Sequence, residues 1–343
     1  MPFMRKRNHP IAKRRDQGQE ALLKRIESLA TRSGVQSQGI RLGMGDDAAL
    51  FKGSSGCNEI LTCDWFLEGT HFLRDKHPPD AVGWKCLARA VSDVAAMGGV
   101  PRCFLLSLAL PVARTGAWLD EFLGGLRRAS LRFGCALAGG DTTRSRNILI
   151  NVTVIGEVRN GRAILRSQAR PGDVVFTSGR LGEAELGLKL IRKSKGQIDS
   201  SSPSLRKHLY PEPRLALGRW LAEKRVASAM IDLSDGLSTD LPRLCAASGV
   251  GARIGISKIP AVRVPSGERR RSKDALPLAL HGGDDYELLF TVPKQKLREI
   301  PRFYRGIPIT AIGEITKQRD LLLIDEAGRA MRLPNRGWDP FRQ

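Results

Sequence analysis

Six short segments set aspartates among glycines or other small residues: GMGDDAAL (43–50), LTCDWFLEGTHF (61–72), VSDVAAMGG (91–99), AGGDTTRS (138–145), MIDLSDGLSTD (230–240) and HGGDDYELLF (281–290). Carboxylates scattered through a chain, but repeatedly placed beside flexible backbone, suit a site that gathers several hard cations. Magnesium takes carboxylate oxygen and water and is commonly bound together with phosphate. The pattern therefore predicts a magnesium-dependent enzyme acting on phosphorylated substrates. Asp46 and Asp47 follow Gly45, which is also ordinary turn chemistry. Asp64 follows an apolar run and precedes Glu68 and His71. Asp93 stands among Ala, Val, Met and Gly at helical spacing, and a buried carboxylate needs a partner or a metal. Gly139 and Gly140 would let backbone amides approach an anion closely. Asp141 beside them implies a bridging metal, because a carboxylate alone repels phosphate. Asp232, Ser234, Asp235 and Gly236 repeat that logic within one turn.

Other chemistries find little support. The phosphate loop GxxxxGK[ST] and the protein-kinase catalytic loop are absent. No second histidine lies at ligand spacing from His71. No Ser-His-Asp arrangement is evident, and no histidine is placed to activate Cys63. The six cysteines form no CxxC pair and no metal-finger spacing, which predicts buried reduced thiols in a cytoplasmic protein.

A chain of 343 residues predicts two domains. Lys and Arg number 56 against 35 Asp and Glu, a net charge of +21. Part of the excess sits in the arm 1–15 and in GERRRSK (267–273), which lack apolar periodicity and read as solvated or disordered. With no helix-turn-helix pattern and no aromatic-basic interleaving, the charge predicts weak non-specific attraction to nucleic acid and no sequence readout. The apolar run 103–112 is too short for a membrane span and reads as a buried strand. No apolar stretch follows the basic N-terminus, so no secretory signal is expected.

Periodicity predicts the elements that must position the acids. A helix is expected over 21–30, a strand over 60–62 delivering Asp64 at its end, and a helix over 81–97 carrying Asp93. Pro101 should force a break before a strand at 104–110. A helix over 118–133 should close on Gly134. GGDTT should precede a strand at 148–157, and a turn follows at 159–162. Beyond it come a strand at 174–177, a helix at 182–190, a surface loop at 193–204, helices at 213–224 and 237–248, and strands at 252–256, 287–292 and 309–313. The alternation predicts an α/β or α+β class with a boundary near Asn160.

Eight segments taken in order resemble the thiamine-monophosphate kinase family, of the superfamily that includes aminoimidazole ribonucleotide synthetase and selenophosphate synthetase. They are GDDAAL (45–50), TCDWFLEGTHF (62–72), SDVAAMGG (92–99), GGDTTRS (139–145), ILRSQARPGD (164–173), DLSDGLSTDL (232–241), GGDDYELLF (282–290) and GWDPF (337–341). The resemblance implies transfer of a phosphoryl group from ATP to thiamine monophosphate, giving ADP and thiamine diphosphate. It implies a two-domain synthetase-type α/β (α+β) fold. A basic arm (1–17) would precede an N-terminal ATP- and magnesium-binding domain (18–160) and a C-terminal α/β domain (161–343). It also implies a homodimer whose N-terminal domains pair their sheets into a β-barrel, with both substrates in the cleft between domains. By position, Asp46, Thr62, the Cys63 backbone, Asp64, Asp93, Asp141, Asp232 and Asp235 would bind several magnesium ions. Gly140, Asp141, Arg166 and Ser234 would contact ATP, and His71, Glu287 and Trp338 would contact thiamine monophosphate. The chain departs from the family at three places: Cys63 where Thr is usual, Asp284 where Glu is usual, and Leu123 where many members carry Tyr against the nucleotide.

The chemistry agrees with that implication. The acceptor is a phosphate monoester whose second pKa is about 6, so it is already anionic at neutral pH. No general base and no phospho-enzyme are required; positioning and charge stabilisation would carry the reaction. Two readings compete. Another ATP-dependent synthetase of the superfamily would need a different acceptor pocket from His71, Glu287 and Trp338. A basic nucleic-acid-associated protein would have no need of acids in every motif.

Overall fold

The computed structural model describes residues 28, 40–42, 50–51, 55–194, 202–263, 275–334 and 336–339. The basic arm, Asp46 and the 267–273 segment lie outside them. Of the helix expected at 21–30 only Ser28 is described, in helical conformation.

The first half is built on strands β3 (Cys57–Leu67), β4 (Val100–Leu110), β5 (Ala136–Arg144) and β6 (Leu149–Arg159), in the order β3-β6-β4-β5. A separate ribbon pairs β1 (Ile40–Leu42) with β2 (Leu50–Phe51). Helices α1 (Pro79–Ala96) and α2 (Ala117–Phe133) cover one face of the four-stranded sheet. Strands β4 and β5 are parallel, which demands a crossover, and α2 supplies it. Gly134 ends α2 in the left-handed conformation at φ 65°, as the sequence predicts.

The second half carries β7 (Val174–Ser178), α3 (Glu183–Lys193), α4 (Pro203–Leu209), α5 (Leu215–Lys224), β8 (Ala229–Leu233), α6 (Leu237–Ser248), β9 (Gly251–Gly255), α7 (Ala275–His281), β10 (Glu287–Val292), β11 (Phe303–Tyr304), β12 (Ile307–Thr316), β13 (Leu321–Ile324) and β14 (Ala330–Arg332). Its mixed sheet runs β14-β13-β9-β12-β7-β10-β8, with β11 paired to β12. Among the described residues of this sheet, the β13–β9 pair alone is parallel.

Helix α1 belongs to both halves. It is buried on nearly every face, although it carries Lys85, Arg89, Ser92 and Asp93. One side packs on β3, β4, β6 and α2; the other meets α4, α5 and β8. Close approach explains its glycines. A Cβ on Gly83 would stand 2.0 Å from the Phe122 carbonyl oxygen of α2, and one on Gly125 of α2 would stand 1.8 Å from that of Asp80. Ala95 and Ala96 enter a core shared with Phe176, Leu217, Leu221 and Met230 of the second half.

Several expectations need correction. Asp64 lies within an 11-residue strand, not at the end of a short one. Pro101 does not break the chain: it is the second residue of β4, before pairing with β5 begins at Cys103, so its missing N–H costs no ladder bond on that side. GGDTT lies inside β5, not ahead of a strand. Part of the expected loop at 193–204 is the first residues of α4. Asp232 sits in strand β8, so Asp232 and Asp235 do not share one turn.

Candidate functional site

Strand β3 alternates. Leu61, Cys63 and Trp65 are exposed, while Ile60 and Phe66 are buried, and the period of two sends Thr62 and Asp64 to the face carrying α1. There the Thr62 hydroxyl donates to Asp93 Oδ2. On the preceding residue of α1, Ser92 Oγ donates to Asp232 Oδ2 at 2.7 Å, joining the two halves through a buried hydroxyl. Chain continuing from β8 places Ser234 and Asp235 ahead of α6. Asp235 N donates to Asp240 Oδ2 at 3.0 Å, and Arg243 Nη1 reaches Asp235 Oδ2 at 2.5 Å.

These elements enclose a cavity of about 620 Å³ between the halves. Asp64, Asp93, Asp232, Ser234 and Asp235 line it, together with His71, Arg89, Asp284 and Trp338. Burial pushes the Asp64 carboxyl up to about 6, opposed by Arg89 and reinforced by Asp93, Asp235 and Asp284. Burial also raises Asp93, against the Thr62 hydrogen bond and the charge of Arg166. Asp232 is raised well above the carboxylate range by burial and by Asp93 and Asp240. The protein's own cations therefore leave this group short of positive charge. Among the described residues, no three His, Cys, Asp or Glu side chains form a compact metal-holding set; the donors are spread around the cavity from both halves.

His71 accepts the Leu67 N–H at Nδ1, 3.0 Å, which puts the proton of its neutral ring on Nε2. Burial and the charge of Arg89 lower its pKa to about 4. The Trp338 ring lies 5.4 Å away, and Trp338 N donates to the Asp235 carbonyl at 3.0 Å. Gly337 permits this docking, since a Cβ there would stand 2.1 Å from Thr239 Oγ1.

The GGDDYELLF segment divides its carboxylates differently from the expectation. Glu287 is 1% exposed and does not line the cavity. Its oxygens are taken by Arg214 Nε and Ser178 Oγ, each at 2.6 Å, and by Lys207. Burial favours protonation, but Lys207 and Arg214 outweigh it and hold Glu287 at about 2. Asp284 is the acid that faces the cavity, from a backbone turned to φ 67°. Lys85 Nζ at 2.8 Å and the Tyr286 hydroxyl at 2.8 Å bind it. Lys85 and Arg89 hold it well below the usual range despite burial.

The remaining expected residues stand apart from the cavity lining. Gly140 and Asp141 occupy edge strand β5; a Cβ on Gly140, at φ 154°, would stand 1.8 Å from the Leu106 carbonyl oxygen. Asp141 is exposed, and its Oδ1 accepts the Thr142 N–H at 2.8 Å. Arg166 is exposed in a short 3-10 turn, close enough to Asp93 to act on its charge. Cys63 faces away from Asp64, its sulfur 3.1 Å from Asn151 Nδ2. Leu123 is buried in α2. Sequence reasoning missed Lys85 and Arg89. Their signal was there: two cations four residues apart on an otherwise apolar helix, one turn before Asp93.

Residues 45–158 match the family model of the AIR synthase related protein N-terminal domain, and residues 170–326 match that of its C-terminal domain. The chain is 34% identical over 326 residues to thiamine-monophosphate kinase of Bacillus subtilis, covering 92% of this chain and 98% of the relative. It is 35% identical over 306 residues to the Escherichia coli enzyme of that name, covering 88% and 92%. Among solved structures it is similar to thiamine-monophosphate kinase from Stenotrophomonas maltophilia, with TM-score 0.77, 33% identity and coverage of 92% and 98%. AaThiL complexed with AMPPCP and TMP superposes with TM-score 0.72 at 31% identity, covering 94% and 96%.

Proposed function

The chain belongs to the thiamine-monophosphate kinase family, and from that membership we propose that it transfers the terminal phosphoryl group of ATP to thiamine monophosphate, giving thiamine diphosphate and ADP. One observation carries the reading to these residues. A single cavity has under-neutralised carboxylates (Asp64, Asp93, Asp232) on one side and His71, Trp338 and Asp284 on another. The first side suits cations that accompany phosphates; the second, with the His71 and Trp338 rings, suits a heterocycle.

Magnesium fits the donor set. Carboxylates raised by burial and mutual repulsion gain most from an added cation. Asp64, Asp93, Asp232 and Asp235 would hold several ions, with Thr62, the Cys63 backbone, Asp141 and Asp46 supplied by the sequence resemblance. Bound magnesium would neutralise the charge shared by donor and acceptor phosphates. Ser234 at the cavity and Arg166 near Asp93 would orient the nucleotide, with Gly140 and Asp141 reaching it from the edge of β5. His71 and Trp338 would contact the thiamine rings. Of the two acids in this segment, Asp284 faces the cavity, while Glu287 lies outside its lining, bonded by Lys207 and Arg214. The acceptor phosphate is ionised at neutral pH, so no residue needs to remove a proton.

We also infer a homodimer with paired N-terminal sheets. Leu61 and Trp65 on one face of edge strand β3 are 68% and 55% exposed, an apolar surface that a second copy would cover. The same reading keeps the division at residue 160 and a cytoplasmic location, which the six unpaired thiols support. No helix among the described residues is long and apolar enough to cross a membrane.

The deciding experiment is a coupled assay for ADP release. Thiamine monophosphate with ATP and magnesium should turn over, thiamine should not, and EDTA should abolish the signal until magnesium is restored. Equal turnover with thiamine, or ADP release indifferent to the acceptor, would refute the assignment.

A further inference from the structure

Lys85, Arg89 and Asp93 follow one another at four-residue intervals on α1 and so form one row along the helix. Asp93 ends the row in the acidic group, and Lys85 ends it on Asp284. Arg89 stands between them. Its Nε is 3.9 Å from Asp64 Oδ2 and its Nη1 is 3.7 Å from Asp284 Oδ1. Its guanidinium carbon lies 5.5 Å from the centre of the Phe66 ring, and that ring is 5.8 Å from His71. The guanidinium therefore occupies the join between the acidic side of the cavity and the side bearing His71 and Asp284.

Arg89 is also incompletely committed. Both carboxylate distances are too long for hydrogen bonds. Its buried Nε–H has no hydrogen-bond partner among the described residues. Lys85 differs, being bonded to Asp284 at 2.8 Å. A planar fork drawn toward two acids but bonded to neither is matched to a phosphate, which it can grip bidentately. A substrate with its rings against His71 and Trp338 and its reactive oxygen toward Asp64 and Asp93 must carry its phosphate past this group.

We propose that Arg89 clamps the acceptor phosphate and thereby selects phosphorylated over unphosphorylated thiamine. The assignment rests on the kinase reading above and goes beyond it by naming the residue that recognises the phosphate. A doubly charged phosphate entering a cavity lined with aspartates needs a fixed cation besides any bound metal, and Arg89 is the guanidinium at that point.

Calorimetric titration of the whole protein with thiamine monophosphate and with thiamine, both in EDTA without ATP, tests this apart from metal and turnover. The wild type should bind the phosphorylated form at least about tenfold more tightly, as charge-assisted hydrogen bonds would give. Equal affinities in the wild type would overturn the proposal. Arg89→Met and Arg89→Gln should reduce the preference to about twofold or less, and Arg89→Lys should restore part of it. With ATP and magnesium, the KM for thiamine monophosphate should rise about tenfold or more in the two neutral variants while that for ATP changes little. A folded neutral variant, verified by circular dichroism, that kept the wild-type preference would also overturn it. If wild-type enzyme fails to release ADP with thiamine monophosphate, the kinase reading itself has failed; an active wild type whose variants keep their selectivity removes only Arg89.

Discussion

Asp64, Asp93 and Asp232 on one side, and Asp284 and Glu287 on the other, are all carboxylates drawn out of water, yet their neighbours treat them oppositely. Burial raises the pKa of every one. In the first group other acids add to that rise at Asp64 and Asp232, and the opposing cations Arg89 and Arg166 do not outweigh burial. In the second, Lys85 and Arg89 act on Asp284, and Lys207 and Arg214 on Glu287, and they outweigh burial. The difference separates a site that lacks cations from a network that already contains them. Burial and charge alone do not mark a binding residue; incomplete neutralisation does.

The largest effect should come from the incomplete group. Asp93→Asn and Asp232→Asn should lower turnover by about a thousandfold or more, because the charge that gathers magnesium is lost. In EDTA their melting temperatures should hold or rise, since each substitution removes repulsion. A marked fall in metal-free melting temperature would break the contrast. The completed group should answer in the reverse sense. Glu287→Gln leaves Lys207 and Arg214 uncompensated and should cost about 3–5 kcal/mol in denaturant unfolding. Its KM for thiamine monophosphate should stay within about twofold of wild type. A raised KM at unchanged stability would return Glu287 to the substrate.

Acidity sharpens the same comparison. Asp64 rises from its ordinary 3.8 to about 6 on folding, so its contribution is full below 3.8 and is lost as pH rises through about 6. Glu287 falls from 4.5 to about 2, so its contribution is full above 4.5 and is lost as pH falls through about 2. Melting curves in EDTA should show Asp64→Asn flattening the decline toward neutral pH and Glu287→Gln flattening the decline toward acid. Magnesium should suppress the first decline and leave the second. Either variant acting on the wrong limb would reverse the assignment.

Smaller effects lie at the edges of the cavity. Trp338→Ala should raise the KM for thiamine monophosphate about tenfold, in line with about 1–2 kcal/mol of lost ring contact, and leave that for ATP unchanged. A lower melting temperature with both KM values intact would make the ring a staple for the C-terminal segment. Cys63 faces away from Asp64, so Cys63→Ala should keep kcat within about twofold.

Much of the fold is legible wherever the pattern is local. The apolar spacing at 81–97 and 118–133 matches α1 and α2 to within two residues, and the expected bounds of α6 and β10 are those observed. Local pattern misled where a residue's neighbours across the sheet decide. Pro101 is tolerated because pairing on one side starts two residues later. GGDTT, expected ahead of a strand, lies inside β5, where Gly140 passes close to the Leu106 backbone of β4.

Sequence by itself determined the inventory: which acids the chain carries, that they stand beside glycines, that Asp93 rides a buried helix, and the order of motifs that identifies the family. Only tertiary structure decided which of those acids are satisfied. The groups that neutralise Glu287 are Arg214, Lys207 and Ser178, lying 73, 80 and 109 residues away in the chain. Lys85 lies 199 residues from the Asp284 it holds. Electrostatic interaction depends on separation in space and on exclusion of water, and neither is a function of separation along the chain. The same reason hid Arg89, whose charge is plain in the sequence but whose place between Asp64 and Asp284 exists only once β3, α1 and the turn before β10 have packed together.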